Sequence, residues 1–266
     1  MQTAFQVFNM NRIFLSVIFA SGLFVGMILL LEVGRRLGRR RQGKDEEGAR
    51  AGLGAVEGAV FALLGLLIAF TFSGAASRFD TRRQLIVQEA NAVGTAWLRL
   101  DLLPASAQPE LRDLFRRYLD LRLAAYQKMS DLEAAYAEMS KANALQGEIW
   151  NRAVAACQPS PNPLQAQLIP ALNEMFDITT TRTMATKTHP PAIIFILLGV
   201  LALMSAMLAG YAMAGGKTQS WIHVIGFAFI MAASVYVILD LEFPRLGIIR
   251  VDAFDQVLVE LRQSMQ

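Results

Sequence analysis

The stretch EGAVFALLGLLIAFTFSGAASRFD, residues 57–80, decides what kind of protein this sequence encodes. Glu57 is the one charged residue of the run Val56–Ser77, which is otherwise apolar or small. A helix rises about 1.5 Å per residue, so roughly 20 such residues cross the ~30 Å hydrocarbon core of a bilayer. The run therefore predicts a transmembrane helix.

Three further runs share this length and lack of charge: Ile13–Leu31, Ala192–Met213 and Trp221–Leu239. Of all residues 54% are hydrophobic and the mean hydropathy is +0.38, whereas a soluble domain has about 45–50% apolar residues. The rest of so short a chain could not bury four such helices. The sequence predicts an all-α, polytopic membrane protein with four transmembrane helices.

The long segment between spans two and three has the charge balance of a water-facing domain. Residues 78–190 contain thirteen basic and twelve acidic residues, and their apolar residues recur at helical spacing. We therefore divide the chain into four parts. They are residues 1–77 with spans one and two and their basic connecting loop, residues 78–190 as a helical bundle, residues 191–240 with spans three and four, and residues 241–266 as a C-terminal tail.

Four helices are predicted within this insert. The first continues span two to Leu103, where Pro104 stops it. The second begins at Pro109, and the other helices follow from residues 143 and 164. The buried stripe assigned to the second helix is Leu111, Phe115, Tyr118, Ala125, Met129, Leu132, Tyr136 and Met139. Beyond span four, Asp240 and Glu242 are expected to meet water.

One face of span two is small at membrane depth and larger and apolar beyond it. Its membrane part predicts close helix packing, because small side chains let backbones approach in lipid. This face is too long for the other helices of one four-span chain to cover. We therefore expect a homo-oligomer, in which a second subunit packs against it. The candidate helix-packing residues are Gly58, Ala62, Gly65, Ala69 and Ala76.

The opposite face is apolar at membrane depth and then polar without a charge. One interpretation is contact with lipid and then with water. The other is a pore wall, in which bulky apolar side chains form a constriction and the polar residues a hydrated vestibule. The candidate pore-lining residues are Leu63, Leu67, Phe70, Gly74, Ser77, Thr81, Gln84, Gln88 and Asn91.

The residues of catalysis and metal binding are scarce. The chain has one cysteine and two histidines, and it lacks a glycine-rich phosphate loop or a nucleophile motif. We therefore predict a protein that is not an enzyme, with no catalytic, cofactor or metal site. The basic cluster Arg35–Arg41 abuts a membrane helix, which favours anionic lipid headgroups of the bilayer over nucleic acid as its partner.

Residues 57–80, continued through Arg82-Arg83 to Glu89-Ala90-Asn91, resemble the bestrophin-like family of bacterial membrane proteins. Bestrophins are pentameric anion channels whose second span lines a neck of bulky apolar side chains. The resemblance implies an inner-membrane channel for small ions, with a neck at Leu63, Leu67 and Phe70 or, less favoured, at Leu64, Ile68 and Phe72. The alternative is a non-enzymatic, membrane-anchored interaction or signalling module.

The loop between spans one and two predicts the orientation in the membrane. It carries seven basic residues, namely Arg35, Arg36, Arg39, Arg40, Arg41, Lys44 and Arg50. Short basic loops stay in the cytoplasm. Loop 35–50 is therefore expected inside, with the helical domain and both termini outside, although the resemblance to bestrophins implies the reverse.

A reporter fused after Gln266 tests this orientation. A fluorescent protein that matures only in the cytoplasm should stay dark there, and a periplasmic enzyme reporter should be active. The same two reporters fused within loop 35–50 of a truncated chain provide the matched control. A bright C-terminal fluorescent fusion would establish the opposite orientation.

Overall fold

The computed structural model describes residues 2–41, 47–129, 131–158, 163, 165–215 and 220–265. It is all-helical, and no strand occurs in these residues. The α-helices are α1 Gln2–Arg41, α2 Glu47–Arg99, α3 Gln108–Gln127, α4 Leu132–Cys157, α5 Leu168–Lys187, α6 Ala192–Ala212, α7 Trp221–Glu242 and α8 Gln256–Ser264. Short 3-10 turns cover Leu100–Leu102, Gln165–Gln167, Met213–Gly215 and Asp252–Asp255.

The chain forms two compact units. We call Arg12–Ser77 with His189–Phe243 the membrane unit, and Met1–Asn11, Arg78–Thr188 and Pro244–Gln266 the bundle unit. Four stretches of the described helices are long and apolar enough to cross a membrane. They overlap all four predicted runs, so the predicted all-α fold with four span candidates is confirmed.

Two helices of the membrane unit pack at backbone contact. A Cβ atom built on Gly210 of α6 would lie 1.9 Å from the carbonyl oxygen of Leu31 in α1. One built on Gly34 of α1 would lie 1.9 Å from that of Met207. Since only glycine fits there, α1 and α6 associate in the way that small residues permit in lipid.

The bundle unit surrounds an apolar core. Phe115 and Tyr118 of α3, Ile149 of α4 and Met175 of α5 are fully buried in it, and Val93 of α2 joins them. α2 ends at Arg99, and a 3-10 turn follows it to Leu102. Leu103 is already extended, as expected for a residue before proline. The predicted stop at Pro104 is thus confirmed within a few residues.

The predicted second helix of the bundle is wrong in length. The chain leaves the helix after Gln127, and α4 begins at Leu132. Asp131 caps α4, since its side chain accepts a hydrogen bond from the backbone N–H of Ala134 at 3.2 Å. This cap starts a new helix at Leu132, although the apolar residues keep their helical spacing across the turn. Tyr136 was assigned to the buried stripe, but 46% of its surface is exposed.

Residues 244–265, part of the predicted C-terminal tail, belong to the bundle core. Leu258 of α8 and Met265 are buried there. Arg262 makes two hydrogen bonds to the carboxylate of Asp120 on α3, at 2.7 and 3.0 Å. Two apolar anchors and one ion pair therefore hold the end of the chain against α3.

Candidate functional site

In the membrane unit, α2 turns one face toward its own chain. Leu64 and Ala75 are fully buried, and the ring of Phe61 meets that of Phe227 of α7 edge-on, with centroids 6.0 Å apart. Thr71 also lies on this side, and its hydroxyl donates to the Leu67 carbonyl of its own helix at 2.7 Å. The buried face is neither of the two that the sequence pattern singled out.

The candidate helix-packing face is open in the membrane unit. Gly58, Ala62, Gly65 and Ala69 are exposed and Ala76 is half-buried. A Cβ atom built on Gly58 or Gly65 would meet nothing within 4 Å, unlike one on Gly210. The same face of α2 in the bundle unit is covered, and Ile86, Ala90, Val93, Trp97 and Leu100 are buried there.

Most of the candidate pore-lining face is exposed in both units. In the membrane unit 52% of Leu63 and 67% of Phe70 are exposed. Leu67 and Gly74 are half-buried and Ser77 is exposed. In the bundle unit Thr81, Gln84, Gln88 and Asn91 are all exposed.

The second candidate set for the neck fits less well. Leu64 is 1% exposed because it packs within its own chain, so it cannot face a pore. Ile68 is half-buried, and Phe72 is exposed. The geometry therefore favours Leu63, Leu67 and Phe70 over this alternative.

A buried ionic core lies on the other side of α2 in the bundle unit. We use this name for Glu89 of α2, Arg122 and Tyr126 of α3 and Arg182 of α5. The Arg122 Nε donates to the Glu89 carboxylate at 2.8 Å, and the Tyr126 hydroxyl donates to its other oxygen at 2.8 Å. Arg182 also donates to Glu89. One carboxylate thus joins three helices.

The electrostatics of this core follow from burial. Glu89 and Arg122 are almost completely inaccessible to water. Burial and the nearby Glu89 charge raise the pKa of the Tyr126 hydroxyl far above its usual range, so the ring stays neutral. Burial alone would lower the pKa of Arg122, but the Glu89 charge raises it overall. Burial also raises the pKa of Tyr118, to about 12.

Two arginines of α2 itself attach this helix to neighbouring segments of the bundle unit. Arg82 donates to the backbone carbonyls of Ala185 and Thr188 at 3.1 and 3.0 Å, at the C-terminal end of α5. Arg83 stacks on Phe254, with its guanidinium carbon 4.2 Å from the ring centre. These contacts fix the rotation of α2 about its own axis within this unit.

Sequence reasoning missed the ionic core, although a signal was present. Glu89 lies three residues after Ile86 and four before Val93, on the buried side of the helix. Arg122 lies four residues after Tyr118 and four before Tyr126 on α3, also at helical spacing. A charge at the helical spacing of a buried stripe predicts a partner of opposite charge, because an unpaired buried charge is too costly.

The expected exposure of Asp240 and Glu242 is wrong. Both are buried, at 5% and 2% exposure. Within the membrane unit the Glu242 carboxylate lies 3.2 Å from Nδ1 of His189, and the Tyr236 hydroxyl lies 3.5 Å from the Asp240 carboxylate. Contacts with these neighbouring side chains accompany the burial of both acids at the end of α7.

Part of the basic cluster lies in the described chain. Arg36 pairs with Glu32 at 2.9 Å, and Arg39 and Arg40 are exposed. Arg35 is buried, at 6% exposure. The side chains of Arg41 and Arg50 and the whole of Lys44 lie outside the described residues. No group of three His, Cys, Asp or Glu side chains in the described part is arranged to hold a metal ion.

Taken together, the fold and the α2 faces define an all-helical, polytopic membrane protein. A family model described as Bestrophin-like domain matches residues 18–253, which is most of the chain. The protein therefore belongs to the Bestrophin-like domain family. A comparison with curated proteins found no match.

Solved structures show the same fold. Two single-substitution variants of a bacterial Bestrophin homolog from Klebsiella pneumoniae are similar at a TM-score of 0.66 and 14% sequence identity. The match covers 91% of this chain and 96% or 97% of those chains. A crystal structure described as a membrane protein gives 0.63 at 14% identity, covering 91% and 97%. At this identity the likeness concerns the fold.

Replacing Glu89 tests the ionic core. We expect Glu89→Gln to lower the free energy of unfolding of the purified protein by about 3–5 kcal/mol, because the buried Arg122 loses its carboxylate partner and Arg182 keeps only Asp255, at 3.7 Å. The matched control is Glu110→Gln. Glu110 pairs with Arg152 at 3.0 Å, but both are more than half exposed, so the loss should stay below about 1 kcal/mol. Equal losses in denaturant unfolding would contradict a special role for Glu89.

Proposed function

We propose that this protein is an oligomeric ion channel whose pore is lined by one face of α2. The observation that carries the proposal is the uncovered face of this helix. At membrane depth it presents Leu63, Leu67 and Phe70, and beyond the membrane it presents polar, uncharged side chains. A ring of bulky apolar residues can gate ions by dewetting, and neutral polar residues can line a hydrated approach.

The small-residue face supports an assembly of identical subunits. Gly58, Ala62, Gly65 and Ala69 are uncovered in the chain, although this kind of stripe is typical of helix contacts in lipid. A neighbouring subunit could cover it while α2 keeps its apolar, bulky side toward a common axis. Family membership supports the same arrangement by analogy.

Anions are the proposed permeant ions. The described pore-facing positions include no aspartate or glutamate, which line many cation-selective pores. Bestrophins, which the sequence resembles, are anion channels. The proposed location is the bacterial inner membrane, with loop 35–50 in the cytoplasm against anionic headgroups and the bundle unit outside.

A second candidate function is a membrane-anchored interaction or signalling module. The absence of any charged ring from the candidate pore face supports it, because ion selectivity usually requires charges or oriented dipoles. In that case the bundle unit would be the working part, and the spans would hold it at the membrane.

Recordings from purified protein in planar bilayers distinguish the two functions. We expect wild type to conduct, and Phe70→Ala to raise conductance or open probability, because a narrower apolar constriction excludes water more strongly. Phe229→Ala is the matched control. Phe229 is 64% exposed on α7, much like Phe70, and it lies outside the proposed wall, so its loss should leave the currents unchanged.

Each result has a defined consequence. The reversal potential in a chloride gradient reports whether anions carry the current. Silent bilayers for all three proteins, with folded protein incorporated, would contradict the channel and favour the interaction module. Conducting wild type with equal effects of the two alanine variants would retain the channel and overturn the assignment of its wall.

A further inference from the structure

The bundle unit contains a cavity of about 300 Å³ between α3 and the segment that follows α7. This volume is at the lower end of small-molecule sites. Leu123 and Met129 from the α3 side and Val259 of α8 supply an apolar wall. Two exposed amides, Gln127 and Gln256, also line it. The proposed channel gives this cavity no role.

The floor of the cavity is a fixed, neutral ion pair. Arg245 donates two hydrogen bonds to the carboxylate of Asp255, at 2.7 and 2.9 Å, and one to Asp252 at 3.0 Å. Its guanidinium carbon lies 5.1 Å from the centre of the Tyr126 ring. The side chains of Arg245 and Asp255 are 11% and 15% exposed. Their hydrogen-bonding capacity is directed largely at each other, so the floor is rigid and uncharged overall.

The rim of the cavity carries a second pair that can open. Arg250 contacts Asp252 through a single short contact of 2.6 Å, and the two side chains are 58% and 39% exposed. An exposed pair of this kind contributes little to stability. Separating it costs little. The cavity is then presented with the Arg250 guanidinium and with Oδ2 of Asp252, whose Oδ1 still accepts a hydrogen bond from Arg245.

This arrangement limits the chemistry of an occupant. A divalent cation does not fit, because both oxygens of Asp255 and one of Asp252 accept hydrogen bonds from Arg245. A plain anion would face the Asp252 carboxylate, and a plain cation would face Arg250. A molecule with both charged groups on one carbon atom avoids each repulsion and satisfies both rim groups.

We propose that the cavity binds an α-amino acid with an apolar side chain, its carboxylate on Arg250, its ammonium group on Asp252 and its side chain against Leu123, Met129 and Val259. This site is independent of ion conduction. Because Asp255 also lies 3.7 Å from Arg182 of the ionic core, an occupant would rest against the residues that hold α2.

Binding is tested by calorimetry on the full-length protein in detergent. The probes are L-alanine, L-leucine and L-phenylalanine, together with two leucine analogues. Isoamylamine is leucine without its carboxylate, and isocaproate is leucine without its amine. We expect at least one amino acid to bind at millimolar concentration or below. Each leucine analogue should bind at least roughly tenfold more weakly than leucine, because it leaves one rim charge without a partner.

Variants then assign the site. Arg250→Gln and Asp252→Asn should each weaken amino-acid binding at least roughly tenfold. Arg250 is exposed, and Asp252 is half-buried with a hydrogen bond from Arg245, so thermal unfolding checks that each variant is folded. Arg117→Gln is the matched control, since Arg117 is also 58% exposed and lies 4.0 Å from its nearest carboxylate. It should bind like wild type.

Three results would overturn the proposal. The first is that none of the three amino acids binds folded wild type at millimolar concentration. The second is that isoamylamine or isocaproate binds as tightly as leucine. The third is that the Arg250 and Asp252 variants bind as wild type does. A silent planar bilayer bears only on the channel, so failure of one proposal is distinguishable from failure of the other.

Discussion

The carboxylate of Glu89 is the constraint on which the rest of this structure depends. It is removed from water, and it is held by two guanidinium groups and one hydroxyl from α3 and α5. Exchanging a buried network for apolar packing can be neutral for stability, but removing one partner is costly. The main effect of the network is therefore to orient α2. Glu89 reaches Arg122 and Arg182 at only one rotation of this helix about its axis. The other side of the helix is thereby left outward, with Gln84, Gln88 and Asn91.

α2 is one uninterrupted helix from Glu47 to Arg99, and it contributes to both units. In the membrane unit Leu64 and Ala75 face the chain's own helices. The glycine and alanine stripe and the side with Leu63 and Phe70 remain uncovered. A helix with one covered face and two open faces of different chemistry is compatible with the proposed assembly. The small face can meet a neighbour, and the bulky face can meet the axis.

The sequence was sufficient for the fold because hydrophobic length and helical period are local signals. Span two could be located from Val56–Ser77 alone, and the proline at position 104 marked the end of its extension. The interruption after Gln127 was missed because α3 and α4 keep one apolar pattern across it, and only the Asp131 cap distinguishes a turn from a continuous helix. Asp240 and Glu242 were misjudged because burial of an acid depends on partners remote in sequence, such as His189.

The candidate site was also predictable only in part. The two faces of α2 could be distinguished by residue type, since residue type changes with helical phase, but the face that packs within the chain was not predicted. The ionic core could not be assembled from sequence, because Arg122 and Arg182 lie 33 and 93 residues from Glu89. The cavity beside Arg245 was equally hidden, since it depends on the C-terminal segment folding back onto α3. Charge at the spacing of a buried stripe is the signal that would have pointed to the core.

The central claim is that the outward face of α2 meets its counterparts in other subunits across a pore. The most direct measurement is disulfide formation in membranes, with Cys157 replaced by alanine and single cysteines introduced as Ser77→Cys or Ile225→Cys. Ile225 is 47% exposed on α7 and lies outside the proposed pore wall. The account predicts rapid cross-linking of Ser77→Cys into covalent dimers and little at position 225. Cross-linking at position 77 that is no faster than at position 225 would contradict it.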